Sequence, residues 1–522
     1  MVPAHMLYRT VTRSWAGALG LTMLCIGSSA TADEIQTTAT AVVAGAESTE
    51  YAPLLGFDIG KWRIEAPMSA ATRFEGTNGF SIDQDNTLSG GALDTQLRVG
   101  LKIDARDGIL PFLFSAEYEH DVLTGFVVNR TELDGVGLPS SQRPEQQLRK
   151  AMARVSLMQY LHVMGGVMTS HWGMGLLAND GTQGWAPGNA QFNDPRGGDR
   201  VIRGMIASGP HGRRSKWFAA LAFDSLLQDD IMYEGDTGTQ LVGALVYGRE
   251  QPNTFGAYFV RRNQRATSGR DTEVYVFDAT GKATLELTES TKLILEGELA
   301  MIFGTTELGP TVDFPEHKVR QLGASARATL DAGDFGGVVD FLFTSGDGDL
   351  DDDTQSCFKV DPNYSMGLLL YRQVIAGQTG RAPVNAGNPD IVGLPPDDVD
   401  RFATRGTLSG TLAFFPRAYY RPLDGLEVYG GPLFAFASQP LADPFNTRLA
   451  GGSPRNALNG APGGYLGTEI DVGLRFRAIL LGSELTAGLE GGVLLPGSAF
   501  TTADGGKLDT VMGGRAMLRY QL

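Results

Sequence analysis

Apolar and polar residues alternate along most of this chain, and this pattern restricts the fold more than any other feature. Between Leu93 and Ile103, every second residue is apolar or threonine, while Arg98 and Lys102 occupy positions between them. Successive side chains of a β-strand point to opposite faces, so such a strand has one face in an apolar medium and one in water. The segment 512–522 repeats the pattern. The sequence therefore predicts an all-β protein.

Eighteen segments carry this pattern: 70–82, 91–106, 110–127, 148–158, 160–170, 199–208, 214–226, 238–248, 253–264, 271–287, 291–303, 317–331, 335–346, 405–420, 425–438, 463–478, 482–495 and 508–522. Short connections such as 332–334 alternate along the chain with long ones such as 439–462. An even number of strands joined in this way is typical of outer-membrane barrels, whereas a β-sandwich gives no reason for it. We expect a transmembrane antiparallel up-and-down β-barrel of about 18 strands, or 16, with short periplasmic turns and long extracellular loops.

Closure of the sheet follows from the behaviour of the backbone in lipid. Every N–H and C=O group must pair within the protein there, so a sheet cannot leave an edge open. Leu97, Val99 and Leu101 are then expected to face lipid. One segment fits less well, because its apolar phase changes near residues 278–281. We expect 271–287 to be a bulged strand or a tight hairpin.

The N-terminus resembles an export signal in composition and order. Arg9 and Arg13 precede an apolar run over 15–26, and Ala30-Thr31-Ala32 supplies a small-residue cleavage site. A positive flank, a short apolar core and such a site indicate a secretory signal peptide. The run is too short to span a membrane as a helix. Residues 1–32 are therefore expected to be removed, with a lipoprotein at Cys25 as the weaker alternative.

The remaining chain is predicted to contain an N-terminal periplasmic segment or plug over 33–69 and the barrel over 70–522. Removal of the signal, which holds two arginines and no acidic residue, changes the net charge from −16 to −18. That charge disfavours a nucleic-acid partner. Cys357 is then the one cysteine left, so no internal disulfide is expected.

Charged residues on the inward phase of the strands carry the main functional hint. The basic members, called here the basic wall, are Arg98, Lys102, Arg475, Arg477, Arg515 and Arg519. The acidic members are Glu117, Glu119, Glu296, Glu298 and Glu490. The last strands of a closed barrel neighbour the first, so the basic wall is expected to form one side of the lumen. Separated charges favour polar solutes; the alternative is that these groups only pair with one another.

Other motifs give weaker indications. Asp347, Asp349 and Asp351 have a spacing at which carboxylates can converge on Ca²⁺, although a solvated acidic loop explains them as well. His171 and Trp172 follow a strand, where an aromatic ring is expected at the membrane interface. No catalytic arrangement distinguishes this chain, so we expect no enzyme and no cofactor besides that candidate calcium ion.

The segment His171-Trp172-Gly173-Met174-Gly175-Leu176-Leu177-Ala178-Asn179-Asp180-Gly181 resembles a motif of poorly characterised porin-like barrel proteins of myxobacteria. The strand number and the stretch 344–349 are more distantly similar to alginate-export-type channels, which are eighteen-stranded barrels. Both resemblances imply an outer-membrane channel. Neither places a site residue on this chain.

The last strand also suggests partners. Alternating apolar residues with Tyr520 near the end resemble the assembly signal of outer-membrane proteins, although Leu522 stands where that signal usually has Phe or Trp. The expected partners are therefore the barrel-assembly machinery, outer-membrane lipid and polar solutes. Divalent cations are expected to bridge the acidic loops 228–236 and 347–353 to lipopolysaccharide.

Three functions remain open at this point. The first is an outer-membrane pore that passes small hydrophilic solutes by passive diffusion through a charged lumen. The second is an export channel for an anionic polysaccharide, with the basic wall as its track. The third is a structural or adhesive barrel with a filled lumen. The long connection 346–404 is expected to fold inward, where its aspartates would offset the arginines of the basic wall.

Overall fold

The computed structural model of the protein describes residues 56–105, 110–125, 146–157, 160–181, 187–188, 198–208, 216–229, 231–248, 252–348, 352–380, 398, 401, 404, 406–480 and 483–522. Its strands are β1 (Gly56–Ile59), β2 (Trp62–Glu65), β3 (Met68–Ser81), β4 (Thr87–Ala105), β5 (Phe112–Gly125), β6 (Gln146–Leu157), β7 (Leu161–Met168), β8 (Arg200–Ser208), β9 (Trp217–Gln228), β10 (Thr237–Tyr247), β11 (Thr254–Arg265), β12 (Asp271–Glu286), β13 (Lys292–Thr306), β14 (His317–Asp331), β15 (Phe335–Thr344), β16 (Thr354–Gln355), β17 (Thr411–Leu423), β18 (Leu426–Ala437), β19 (Tyr465–Leu480), β20 (Ser483–Pro496) and β21 (Val511–Gln521).

Helices occur only as short pieces among the described residues. They are a π-helical turn (Leu370–Ile375), two α-helical segments (Ala376–Gly380 and Pro444–Leu449) and a 3₁₀ turn (Ser498–Phe500). None of the helices in the described part of the chain is long and apolar enough to span a bilayer.

Eighteen of the strands form one closed antiparallel barrel. β3 to β15 and β17 to β21 each pair with their neighbours in the chain, and β15 pairs directly with β17. β21 then pairs with β3, from Gly513 opposite Thr77 to Gln521 opposite Ser69. This closure confirms the predicted eighteen-stranded barrel, in which every predicted strand segment corresponds to an observed strand.

Two short elements lie outside the barrel count. β1 and β2 form a hairpin, and β2 pairs with the end of β4, where Glu65 lies opposite Lys102. β16 adds a brief parallel pairing to β14. The barrel begins at Met68. The expected signal peptide and most of the expected N-terminal segment lie outside the described residues.

The outer surface of the barrel is apolar. Leu97, Val99 and Leu101 are 36–40% exposed, while Arg98 between them is buried at 6%. Aromatic residues collect where strands meet the short turns, as in Trp217 and Tyr247, whose ring centroids are 4.9 Å apart. Others at this end are Tyr160, Phe255, Phe335, Tyr420 and Tyr520. An apolar band with aromatic residues at its edge is typical of barrels that cross a membrane.

β12 corrects the expectation of a bulge or hairpin over 271–287. It is one continuous strand, and its pairing with β11 and β13 shows no shift of register. Asp278 and Thr280 point inward and are buried, and Val274 and Val276 share their face. This inward face changes from apolar to polar along the strand, and in the sequence such a change has the same pattern as a change of phase.

Two long connections fold into the barrel. The described parts of 169–199 and 345–410 contribute Leu176, Phe358, Leu370 and Tyr371 to a buried apolar cluster that includes strand residues such as Leu433. The largest hydrophobic core of the described chain therefore lies inside the lumen. The second connection folds inward, as the sequence led us to expect.

Candidate functional site

Polar and charged residues of β4 to β6 bond to one another in two adjacent groups on the inner wall. Arg98 donates to Glu119 at 2.7 Å, and Glu119 also accepts a hydrogen bond from Gln147 at 2.8 Å. Glu117 accepts from Arg149 at 2.6 Å. Arg98, Glu119, Gln147 and Arg149 are buried. Each strand presents these residues on its inward phase, so cross-strand neighbours of opposite charge meet directly.

A second network joins β18 to β21. Arg475 donates to Glu427 at 3.1 Å. Arg515 donates to Glu490, which also accepts from the Tyr429 hydroxyl at 2.6 Å. Sequence reasoning did not single out Glu427 or Tyr429. The signal for Glu427 was present, because it lies opposite Arg475 on the neighbouring strand, but that register cannot be read without the turn between the strands.

The other members of the basic wall also have partners. Lys102 lies 3.5 Å from Glu65, Arg477 donates to Glu484 at 2.9 Å, and Arg519 donates to Gln521. All six lie on β4, β19 and β21, which belong to the consecutive run of strands β19, β20, β21, β3 and β4. The loop aspartates were expected to offset this charge. Within the described residues, glutamates of neighbouring strands do so for Arg98, Arg475, Arg477 and Arg515 instead, and Glu65 of β2 lies beside Lys102.

Glu298 has a different role from the other inward carboxylates. It accepts hydrogen bonds from the backbone N–H groups of Met174 and, at 3.1 Å, of Leu176. Its carboxylate on β13 therefore holds the first inward connection. Glu296, the other β13 carboxylate, lies 3.8 Å from Lys282. The structure thus places Glu296 and Glu298 on the opposite side of the lumen from the basic wall.

Glu469 on β19 holds the second inward connection in the same manner. It accepts hydrogen bonds from three successive backbone N–H groups, those of Leu368, Leu369 and Leu370, the last two at 2.8 and 2.7 Å. Its side chain is fully buried. Sequence reasoning missed it, although Glu469 shares the inward phase of Arg475.

Trp172 lies inside the barrel, so the expectation of a membrane-interface position was wrong. Its indole N–H donates to Asp278 at 2.9 Å, and its ring meets Tyr258 edge-on at 4.9 Å between centroids. The ring lies against Gly256, where a Cβ would approach it to 3.0 Å. His171 beside it is buried 3.9 Å from Asp180. Trp172 is held inside the barrel by the space over Gly256 on β11 and by the buried carboxylate of Asp278 on β12.

A chamber of about 430 Å³ lies between the inner wall of β6 to β14 and the two inward connections. The segment around Trp172 borders it, and residues 355–362 line another side. Much of its barrel wall is apolar, with contributions from Met152, Met164, Met205, Ala222, Val242 and Val276. Sequence reasoning did not predict this chamber. The chamber forms where several adjacent strands each have a short run of apolar inward residues, and these runs meet only in the folded barrel.

Ion pairs border the chamber. Arg203 binds Asp224 through two hydrogen bonds of 2.6 and 2.7 Å. Arg262 lies 2.5 Å from Asp229. The first pair joins neighbouring strands β8 and β9, and the second joins β11 to the loop after β9. Both arginines at the chamber wall therefore have a carboxylate partner.

Arg401, from the long connection, ties that connection to the loop after β9. It lies 2.5 Å from Asp236 and stacks over the ring of Tyr233 at 4.1 Å. Burial alone would raise the pKa of Asp236, but hydrogen bonds from Arg401 and from backbone N–H groups hold that pKa below its usual value. The contact therefore keeps its charge in mildly acidic solution.

The candidate calcium ligands are only partly described. Asp347 accepts a hydrogen bond from the backbone N–H of Ser356 at 3.1 Å, and Asp349 and Asp351 lie outside the described residues. Among the residues that the structure describes, no three His, Cys, Asp or Glu side chains are grouped to hold a metal ion. Calcium at this loop stays a prediction.

Comparison with known proteins gives similarity at the level of structure. No protein-family model matches the chain, and no curated protein matches it in sequence. Among solved structures, OccK5 (OpdH) of Pseudomonas aeruginosa is similar at 11% identity with a TM-score of 0.48, covering 88% of this chain and 98% of that chain. Acinetobacter baumannii OccAB1 is similar at 9% identity and 0.48, covering 91% and 99%. A BenF-like porin from Pseudomonas fluorescens Pf-5 is similar at 10% identity and 0.49, covering 88% and 98%.

Proposed function

We propose that this protein is a pore of the bacterial outer membrane through which small solutes cross by passive diffusion. One observation carries the proposal: a closed barrel that is apolar outside holds charged, ion-paired side chains and a chamber inside. The apolar outer face can contact lipid, and the charged inner face can be hydrated. Small hydrophilic solutes are the class that the charged part of the lumen favours.

The pairing of charges speaks against the polysaccharide exporter. Such an exporter needs a continuous track of positive charge. Four of the five arginines of the basic wall are instead bonded to glutamates of neighbouring strands, as Arg98 is to Glu119 and Arg515 to Glu490. The chamber speaks against a completely filled structural barrel, because the two inward connections leave it open between them and the wall.

Swelling of liposomes that contain the full protein tests the proposal. Neutral sugars of increasing size, from arabinose to a trisaccharide, should enter at rates that fall with size. Ala244→Trp, which fills part of the chamber, should slow entry; Leu245→Trp, which points outward from the same strand, should not. Vesicles that exclude arabinose as protein-free vesicles do would contradict the pore and favour the filled barrel.

The finer expectations belong to this proposal and rest on the sequence. These are the relation of segment 171–181 to myxobacterial porin-like proteins, assembly through β21, and bridging of acidic loops to lipopolysaccharide. Bridging to lipopolysaccharide requires that the acidic loop 228–236 lies at the cell surface. An epitope tag there should bind antibody on intact cells, and a tag reached only after lysis would reverse the orientation.

A further inference from the structure

We propose that the chamber is a binding site for a small uncharged apolar molecule of the hydrocarbon or aromatic class. The inference deepens the proposed pore function and rests on it, since it names a solute class that the pore would accept besides hydrophilic ones. It is carried by three features of the chamber: the chemistry of its wall, the pairing of its charges and its size.

Most of the chamber wall is apolar and offers dispersion contacts, although polar side chains such as Gln240 and Thr272 also line it. Met152, Met164 and Met205 point into the chamber from β6, β7 and β8, and all three are buried. Methionine is flexible and polarizable, so it fits apolar ligands of varied shape and makes favourable contacts with aromatic rings. If this part of the inner wall served only to hold water, we would expect polar inward residues here, such as those on β4 and β5.

Three arginines that line the chamber are already bonded to carboxylates of the protein. Arg203 is bonded to Asp224, whose carboxylate also accepts from Gln240 at 2.8 Å. Arg262 is paired with Asp229, and Arg401 with Asp236. A charged solute would have to compete with these bonds and lose its own hydration. An uncharged apolar solute meets neither cost.

The chamber also has a size suited to such a ligand. Ligand sites usually measure about 300–1,000 Å³, and an apolar cavity of about 150 Å³ already holds benzene. At about 430 Å³, the chamber has room for a two-ring aromatic molecule. Water inside it gains few hydrogen bonds from methionine, valine and alanine, so its displacement favours binding.

Cys357 provides a natural reporter, because it lines the chamber and is exposed to solvent there. In the full protein reconstituted in nanodiscs, naphthalene should slow alkylation of Cys357 by N-ethylmaleimide several-fold. Arabinose at the same concentration should not. A Cys357→Ser, Ser290→Cys variant, whose new thiol lies in the exposed turn after β12, should react at the same rate with and without naphthalene.

A matched pair of variants locates the effect. Ala222→Trp fills the chamber and should abolish the protection by naphthalene, whereas Leu221→Trp, on the outer face of the same strand, should retain it. The proposal is overturned if naphthalene leaves the rate at Cys357 unchanged in the unaltered protein, if arabinose protects equally, or if Ala222→Trp is protected as strongly as Leu221→Trp.

Arabinose swelling of vesicles with the same preparation separates the two proposals. Swelling without protection by naphthalene would support the pore and contradict the apolar binding site. Protection by naphthalene without swelling would support the apolar binding site and contradict the pore.

Discussion

The environment of a residue in this barrel depends on the face of the strand on which its side chain lies. Leu299, at the centre of β13, is 40% exposed on the outer surface, whereas its neighbour Glu298 is buried inside and bonded to a loop. One step along the strand thus separates lipid from lumen. The effect of a substitution on stability therefore depends more on the face of the strand and on the depth in the bilayer than on the type of residue replaced.

Leu299→Arg tests the outer side. Arginine near the bilayer midplane should lower the free energy of unfolding by about 2–4 kcal/mol, while Phe335→Arg, next to a short turn, should cost about 0–1 kcal/mol. Denaturant unfolding of the protein from lipid vesicles measures both. Equal costs at the two positions would show that the exposed apolar band is not the lipid-facing surface.

The Cys357 thiol should titrate at higher pH than an ordinary thiol. Surrounding protein raises its pKa by desolvating the thiolate, and this outweighs the hydrogen bond with Ser409. The reactive thiolate therefore appears only as pH rises past the usual thiol range. Alkylation rates measured against pH should place the midpoint above that of a cysteine at position 290. A midpoint at or below that control would contradict desolvation of the thiolate by the surrounding protein.

At the scale of elements, two buried glutamates determine how the lumen is filled. Glu298 and Glu469 stand on separate strands, and each accepts backbone N–H groups from one inward connection. Charge-assisted hydrogen bonds to several N–H groups are strong, so each carboxylate fixes the depth of the segment that it binds. The connections are therefore parts of the core.

Glu469→Ala should loosen the second connection. It leaves the N–H groups of residues 368–370 without their acceptor, at about 1–3 kcal/mol for each group that stays buried. Single-channel recordings should show a larger or more variable conductance. Glu286→Ala, an exposed residue at the end of β12, is the control and should leave conductance unchanged. An unaltered conductance in Glu469→Ala would show that other contacts hold the connection.

The strands were predictable from the sequence, while the arrangement of the connections was not. Alternation repeats over each strand, so local pattern located all eighteen. The connection 345–410 has no period, and its position depends on Glu469 from a distant strand. Trp172 was misplaced for the same reason, since its partners Asp278 and Gly256 are far away in the chain. The inward charges were identified, but their partners required the register.

At the scale of the whole molecule, the strongly acidic composition does not determine what the lumen presents to a solute. The net charge is −16, yet the inner wall is a set of compensated pairs such as Arg515 with Glu490. Exposed charges in loops are screened over about 8–10 Å in physiological salt. The lumen is therefore close to neutral along the basic wall.

Ion selectivity should accordingly be weak. In planar bilayers under a potassium chloride gradient, the reversal potential should lie near zero. Arg515→Gln leaves Glu490 uncompensated and should shift it toward cation preference. Arg261→Gln should not, because Arg261 lies on the outer face of β11, where it pairs with Glu273 outside the lumen. A strong anion preference in the unaltered protein would instead favour the polysaccharide exporter.

The seam between β3 and β21 has a consequence for how the protein is made. Asn78 accepts a hydrogen bond from Met512, 434 positions away in the chain, so the barrel cannot close until β21 has been synthesised. Until then β3 keeps a row of unpaired backbone groups, and such an edge is a template for aggregation. Long-range pairing of this kind also forms slowly. A chain shortened before residue 511 would keep two open edges and depend on chaperones throughout its lifetime.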